Sequence, residues 1–211
     1  CARSPYGPVV LRHREAGQLL RDRRLRQGSH AWPATLGLTG AFADFWMRSV
    51  ISQEGPPHKA LRQIAISALA PDFIASLIPE FERVAAGLVA DLKARDTCEF
   101  ITEFSEPFAG RAITTLLGLP ESDATQIAKD ASALGLAMGL DGKTHEPVFN
   151  TAAERLSALS RDLIQRVRSG KDTSSFTARA LAAAPPQMPD QVLVDLILIA
   201  IFGGVDTTRA Q

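Results

Sequence analysis

The sequence predicts a mainly α-helical fold, read as one domain over residues 1–211. Three observations carry that prediction. Phe73, Leu77, Phe81, Val84, Leu88 and Leu92 recur at three- to four-residue spacing, the apolar stripe of a long amphipathic helix. Val192 to Phe202 is apolar on nearly every side, so a helix there must be buried all round. Strand signals are few, because Pro8 to Leu11 and Cys98 to Thr102 are short and weak.

The remaining punctuation is helical. A helix over about Phe104 to Leu117 stops at Gly118-Leu119-Pro120, a glycine C-cap followed by proline. Glu121 to Leu134 restarts with acidic residues in its first turn, which suits the positive end of the helix dipole. Glu154 to Arg168 places Leu156, Leu159, Leu163 and Val167 on one face and ends at Ser169-Gly170. Ala182 to Pro189 is a brief proline-rich connection, and Pro189-Asp190 opens the last helix. Burying the large side chains of that helix contributes on the order of 15–25 kcal/mol as an upper bound, at roughly 1.5–3 kcal/mol each. It is expected to be the central helix of a larger fold. Its closeness to Gln211 makes an incomplete chain the expectation.

Composition narrows the partners. With 23 basic and 23 acidic residues the net charge is zero, which argues against nucleic acid. The run Arg21, Arg23, Arg24 and Arg26 is interrupted by Asp22 and has no neighbouring aromatics, the pattern of a solvated helix end. Cys1 and Cys98 are too few for a disulfide framework and lie in no metal-ligand spacing. Cys98 reads as a small buried apolar side chain, and a reducing cytoplasm is the expected location. The N-terminus has no signal-peptide pattern. Val192 to Phe202 is well short of the roughly 20 residues that span a bilayer, so no membrane partner is expected.

Three stretches carry candidate chemistry. In Gly203-Gly204-Val205-Asp206-Thr207-Thr208 the most apolar helix runs into poor helix formers. Glycine costs about 1 kcal/mol in a helix interior, and threonine hydroxyls compete for backbone carbonyls. Such violations concentrate at functional sites. On spacing alone the glycines equally suit a C-cap, with Asp206 or Thr207 opening another helix. His58 and Arg62, four apart, share a helix face beside Leu61, Ala65 and Leu69. Two cations there suit a ligand with two carboxylates; an ordinary surface pair fits the spacing as well. His30 to Val50 gathers Trp32, Phe42, Phe45 and Trp46 among Pro33, Gly37 and Gly40. It reads as a loop folded over an apolar ligand, with ordinary core as the alternative. Leu134 to Gly142, with Gly135, Met138 and Gly139, reads as an opposing flexible lid.

Four segments in order resemble the cytochrome P-450 superfamily of the bacterial soluble type. Gly-Gly-x-Asp-Thr-Thr after a buried apolar helix resembles its oxygen-activation motif. Pro56-Pro57-His58-Lys59-Ala60-Leu61-Arg62 resembles its proline-led helix with a His-x-x-x-Arg pair. Leu19 to Leu25 resembles its early helix, and Phe104 to Pro120 resembles the helix that closes with Leu-Gly-x-Pro. The resemblance implies the N-terminal part of the P-450 fold, ending in the central oxygen-activating helix, so that residues 1–211 form a partial domain.

The same resemblance implies haem, with propionates held by His58 and Arg62 and a porphyrin face approached by Gly203 and Gly204. Thr207, with Asp206 leading to solvent, is implied as the catalytic proton relay. Phe42, Phe45 and Ile201 are the expected substrate contacts. The implied activity is a haem-thiolate monooxygenase that inserts one oxygen atom of O₂ into an apolar small molecule, with electrons from a ferredoxin or reductase. The family's iron ligand, a cysteine in a Phe-x-x-Gly loop preceded by a Glu-x-x-Arg pair, has no counterpart here. Cys1 and Cys98 are in the wrong contexts, so no metal ligand is expected within the chain and the fragment alone is expected to be inactive. The alternative is a non-catalytic helical ligand-binding or interaction module whose Val192 to Phe202 helix a partner chain covers.

Overall fold

Two short strands open the chain in the computed structural model, which describes residues 1–4, 7–93, 96–139 and 141–209. β1 (Ala2–Ser4) and β2 (Gly7–Val9) pair antiparallel, with Ala2 opposite Val9. The rest of the regular structure among the described residues is helical: α1 (His13–Leu19), α2 (Trp32–Thr35), α3 (Gly40–Arg48), α4 (Gly55–Ala68) and α5 (Pro71–Leu92). After these come α6 (Glu106–Leu117), α7 (Ala124–Gly135), α8 (Glu146–Arg168), α9 (Phe176–Ala183) and α10 (Asp190–Arg209).

Local chemistry accounts for most boundaries. α5 starts on Pro71 and Asp72, which suit the first turn, and buries Phe73, Val84 and Leu88 along its stripe. α6 ends where Gly118 adopts φ +65°; the Gly118 and Leu119 amides donate back to Thr115 O (3.2 Å) and Thr114 O (2.9 Å), satisfying the last carbonyls.

The weak strand signal at Cys98 to Thr102 gives no strand, and several expectations are corrected. Ile101–Ser105 is a wide π-type helical turn that feeds α6. Glu99 Oε2 accepts from Thr102 N and Oγ1, both at 2.8 Å. Phe100, Phe104 and Phe108 stack at four-residue spacing with centroids 5.0 and 6.0 Å apart, a helical ladder. Short apolar runs do not separate strand from helix by periodicity. Cys98 is exposed, not buried. α8 starts at Glu146 rather than Glu154, because Glu146 and Pro147 make a good first turn. α1 lies upstream of most of the Leu19 to Leu25 segment, whose arginines follow in exposed turns. The expected loop from His30 to Val50 is largely helical, as a 3-10 turn, α2 and α3. Leu140, part of the expected lid, lies outside the described residues.

α10 organises the core. Leu193, Val194, Leu196, Ile197, Leu198, Ile201, Phe202 and Val205 are all buried, and the helix packs on α6, α7 and α8. It runs unbroken through Gly203-Gly204 to Arg209, so the glycines neither cap it nor break it. By length and composition alone α10 is able to cross a bilayer, but half of its apolar window is buried within the structure, as in a core helix.

One carboxylate sits in that apolar surface. Asp195 is 2% exposed and accepts from Arg48 Nε (2.7 Å), Arg48 Nη2 (3.2 Å) and Gln191 Nε2 (2.9 Å). The bidentate pair satisfies a charge that would otherwise be costly to bury, and it ties the end of α3 to α10. Arg48→Ala is expected to lower stability by about 2–3 kcal/mol, less than the roughly 3–5 kcal/mol of fully buried pairs because Arg48 is half exposed. Urea denaturation measures this; a loss under about 0.5 kcal/mol would show that Gln191 and water suffice for Asp195.

Candidate functional site

One face of α10 is left uncovered by α6, α7 and α8. Leu196, Ile199, Ala200, Gly203, Asp206 and Thr207 follow helical spacing along it and form one wall of a groove of about 450 Å³. Ala65 of α4, Leu69 just past its end, Trp46 of α3, Val50, Ile51, Met138, Phe176 and Phe202 of α10 also line it. The lining is predominantly apolar, which suits a hydrophobic ligand.

The two glycines have different surroundings. A Cβ on Gly203 would meet no atom within 4 Å, and Gly203 lines the groove. A Cβ on Gly204 would lie 2.9 Å from Ile113 Cδ1, so Gly204 serves the close approach of α6. Gly203 thus lies on the groove, whereas Gly204 faces α6.

Thr207 is exposed, and its Oγ1 donates to Gly203 O at 2.5 Å, four residues back. The hydroxyl is thus bonded along the helix and leaves the ladder closed. Asp206 is half-buried; its Oδ1 accepts from Arg209 Nη2 at 3.3 Å. A Cβ on Gly135, at the end of α7, would lie 3.2 Å from that same oxygen.

His58, Arg62 and Ala65 of α4 and Leu69 at its C-cap fall at helical spacing, so His58 and Arg62 continue the stripe that reaches the groove. His58 is half-buried and Arg62 exposed, and among the described residues neither has a hydrogen-bond or ion-pair partner. Among the described residues no cluster of His, Cys, Asp and Glu is arranged to hold a metal ion.

Phe42, Phe45 and Ile201 are not on the groove. They are 0%, 1% and 0% exposed, inside the core. Phe42 packs on Trp46, Phe45 and Phe149, with centroids 5.7, 6.2 and 5.1 Å away. Ile201 lies about 200° around the helix from Ile199, at 100° per residue, which turns it toward the buried side. Stepping back from Gly203 by three and four residues finds Ala200, Ile199 and Leu196 instead. Phe176 carried no such signal, since it reaches the groove only through the packing of α9.

No family model matches the chain. Among curated relatives it is 28% identical over 214 residues to luteothin monooxygenase of Streptomyces thioluteus, covering 100% of this chain and 52% of that one. It is 32% identical over 127 residues to cytochrome P450 105A3 of Streptomyces carbophilus, covering 59% and 30%. Vitamin D3 dihydroxylase of Streptomyces griseolus is 26% identical over 206 residues, covering 96% and 49%. Two solved structures share the fold. P450BioI, in complex with an acyl carrier protein ligated to hexadec-9Z-enoic acid, superposes with a TM-score of 0.76 at 19% identity, covering 93% of this chain and 51% of that one. PksS of Bacillus subtilis 168 gives 0.75 at 19%, covering 94% and 49%.

These relatives and solved structures are bacterial cytochrome P-450s, and this chain is similar to them over its length. It matches the N-terminal part of the P-450 fold and spans about half the length, or less, of the curated relatives it matches. Two of those relatives are named as a monooxygenase and a dihydroxylase.

The glycine pair yields a test. Gly203→Ala is expected to stabilise this chain by about 0.5–1 kcal/mol, the helix-propensity gain with no clash. Gly204→Ala must displace Ile113, so its gain should be cancelled or reversed. Chemical denaturation compares them; a Gly204→Ala variant as stable as Gly203→Ala would contradict the close approach of α6.

Proposed function

We propose that this chain supplies the oxygen-side wall of a haem pocket in a haem-thiolate monooxygenase. The observation that carries the reading is the groove itself. Gly203, Asp206 and Thr207 share it with Ala65 and Leu69, and the stripe continues along α4 to His58 and Arg62, which have no hydrogen-bond or ion-pair partner among the described residues. These residues fit one side of a flat dicarboxylate group: open space over Gly203, an apolar lining, and two nitrogen donors, His58 and Arg62, farther along the stripe that reaches the groove. The iron's thiolate is expected outside this chain.

In this reading His58 and Arg62 hold the carboxylates of haem by charge-assisted hydrogen bonds. Gly203 leaves room for the ring. When bound, haem supplies the electron chemistry and the activation of O₂. Thr207 is able to rotate its hydroxyl from the Gly203 carbonyl and present a proton to the groove. Asp206, paired with Arg209, replenishes that proton from solvent. Leu196, Ile199 and Met138 exclude water and contact an apolar small molecule, which receives one oxygen atom. Electrons come from a ferredoxin or reductase, and the cytoplasm is the proposed site of action.

The complete protein carrying this segment provides the test. Reduced and exposed to carbon monoxide, it should show the Soret shift of thiolate-ligated haem; its absence would end the enzyme assignment. Thr207→Ala should retain haem and release peroxide in place of product, by about tenfold or more relative to wild type for loss of a positioned proton donor. Unchanged coupling would remove Thr207 from the relay. Arg62→Ala should lower the haem-to-protein ratio after gel filtration, and normal occupancy would count against propionate binding.

A further inference from the structure

α3 has no cap of its own. Its N-cap residue, Thr39, makes no side-chain bond to the helix, although the first amides of any helix need acceptors. The acceptors come from another element. Asn150 Oδ1 of α8 accepts from Phe42 N at 2.9 Å, and Asn150 Nδ2 donates to Thr39 O at 3.0 Å. Glu146 Oε1 accepts from Thr39 N at 2.6 Å and from Thr39 Oγ1 at 3.0 Å. Lys143 Nζ bridges Gly37 O and Glu146 Oε2, both at 2.5 Å.

We propose that Glu146 and Asn150 form a clasp that caps α3 from α8 and thereby holds the Trp46 wall of the groove in place. Gly40 makes the clasp possible. It adopts φ +82°, and a Cβ there would lie 2.7 Å from Asn150 Nδ2, so only glycine admits the side chain of α8 so closely. Phe149 packs on Phe42 beneath the polar contacts, at 5.1 Å between centroids. Lys143 first, and the Thr39 amide next, hold the Glu146 carboxyl below the usual range, which keeps it an ionised acceptor.

The clasp acts at the opposite end of α3 from the Arg48–Asp195 pair, so α3 is pinned to α8 at its start and to α10 at its end. Trp46 lies between the two pins, on the groove, with Nε1 donating to Ser29 O at 2.9 Å. The segment between α7 and α8 carries Met138 on the other rim of the same groove. The clasp therefore joins the two rims. Glu146 and Asn150 are positioning residues, acting on the groove through α3. That consequence rests on the groove reading above, whereas the test below reads α3 directly, so the two fail separately.

Amide hydrogen exchange by mass spectrometry tests the clasp on this chain. Asn150→Ala should speed exchange across residues 39–48 about fivefold, the equivalent of roughly 1 kcal/mol and the worth of a lost N-cap. Peptides from α10 should change less than about twofold. Asn150→Asp, which keeps an acceptor for the Phe42 amide, should fall well short of the alanine effect. Acrylamide quenching reports the same region, since both tryptophans of the chain, Trp32 and Trp46, lie on or beside α3. Quenching should rise in Asn150→Ala. Unchanged exchange over 39–48, or an equal rise in α10, would overturn the proposal. Should Asn150→Ala fail to fold, Glu146→Gln, with a neutral and weaker acceptor for the Thr39 amide, is read by the same criteria.

Discussion

A helix that is apolar around its whole circumference has to be enclosed, and α10 sets that demand for the rest of the chain. α6, α7 and α8 cover the side that bears Ile197, Ile201 and Val205, all fully buried. α3, α4 and α9 approach the other side without closing on it, which leaves Leu196, Ile199, Gly203 and Thr207 facing a groove. The groove is thus the part of the helix surface whose burial this chain leaves unfinished. Its apolar walls and the helix beside it have one physical origin.

Polar groups inside this arrangement do the aligning. Asp195 would be intolerable in an apolar helix without Arg48, and their bidentate geometry fixes the end of α3 on α10. Asp130 of α7 is similarly 3% exposed and takes Nε of Arg155 at 3.1 and 3.0 Å, registering α7 on α8. The start of α3 is capped by side chains of α8 in place of its own. Dispersion and burial hold the elements together, but these few charge-assisted bonds choose the angle and register at which α3 stands over the groove.

The glycine pair shows how one motif divides its labour. Gly203 leaves open space on the groove, and Gly204 lets α6 come close enough for Ile113 to fill the gap. Both are poor helix formers, and the tertiary packing of α10 overrides their propensity through Arg209. A local rule is broken twice in succession for two unrelated reasons, one facing the groove and one facing the core.

The sequence by itself determined the helical class, the stripe of α5, the glycine stop of α6 and the burial of α10, because periodicity and capping are written in neighbouring residues. It also marked His58, Arg62, Gly203, Asp206 and Thr207 as unusual in their local context. It did not show that Phe42, Phe45 and Ile201 lie in the core, since an apolar side chain near a groove and one in the core look alike in one dimension. The weak strand signal at Cys98 to Thr102 hid a helical turn for a related reason: the Phe100, Phe104 and Phe108 ladder shows only when the rings stack. Tertiary structure alone decided which arc of α10 stays open, which glycine meets Ile113, and that Asn150 caps a helix more than a hundred residues away in the chain. Those outcomes depend on where distant elements meet in space, and no spacing within a single helix encodes that.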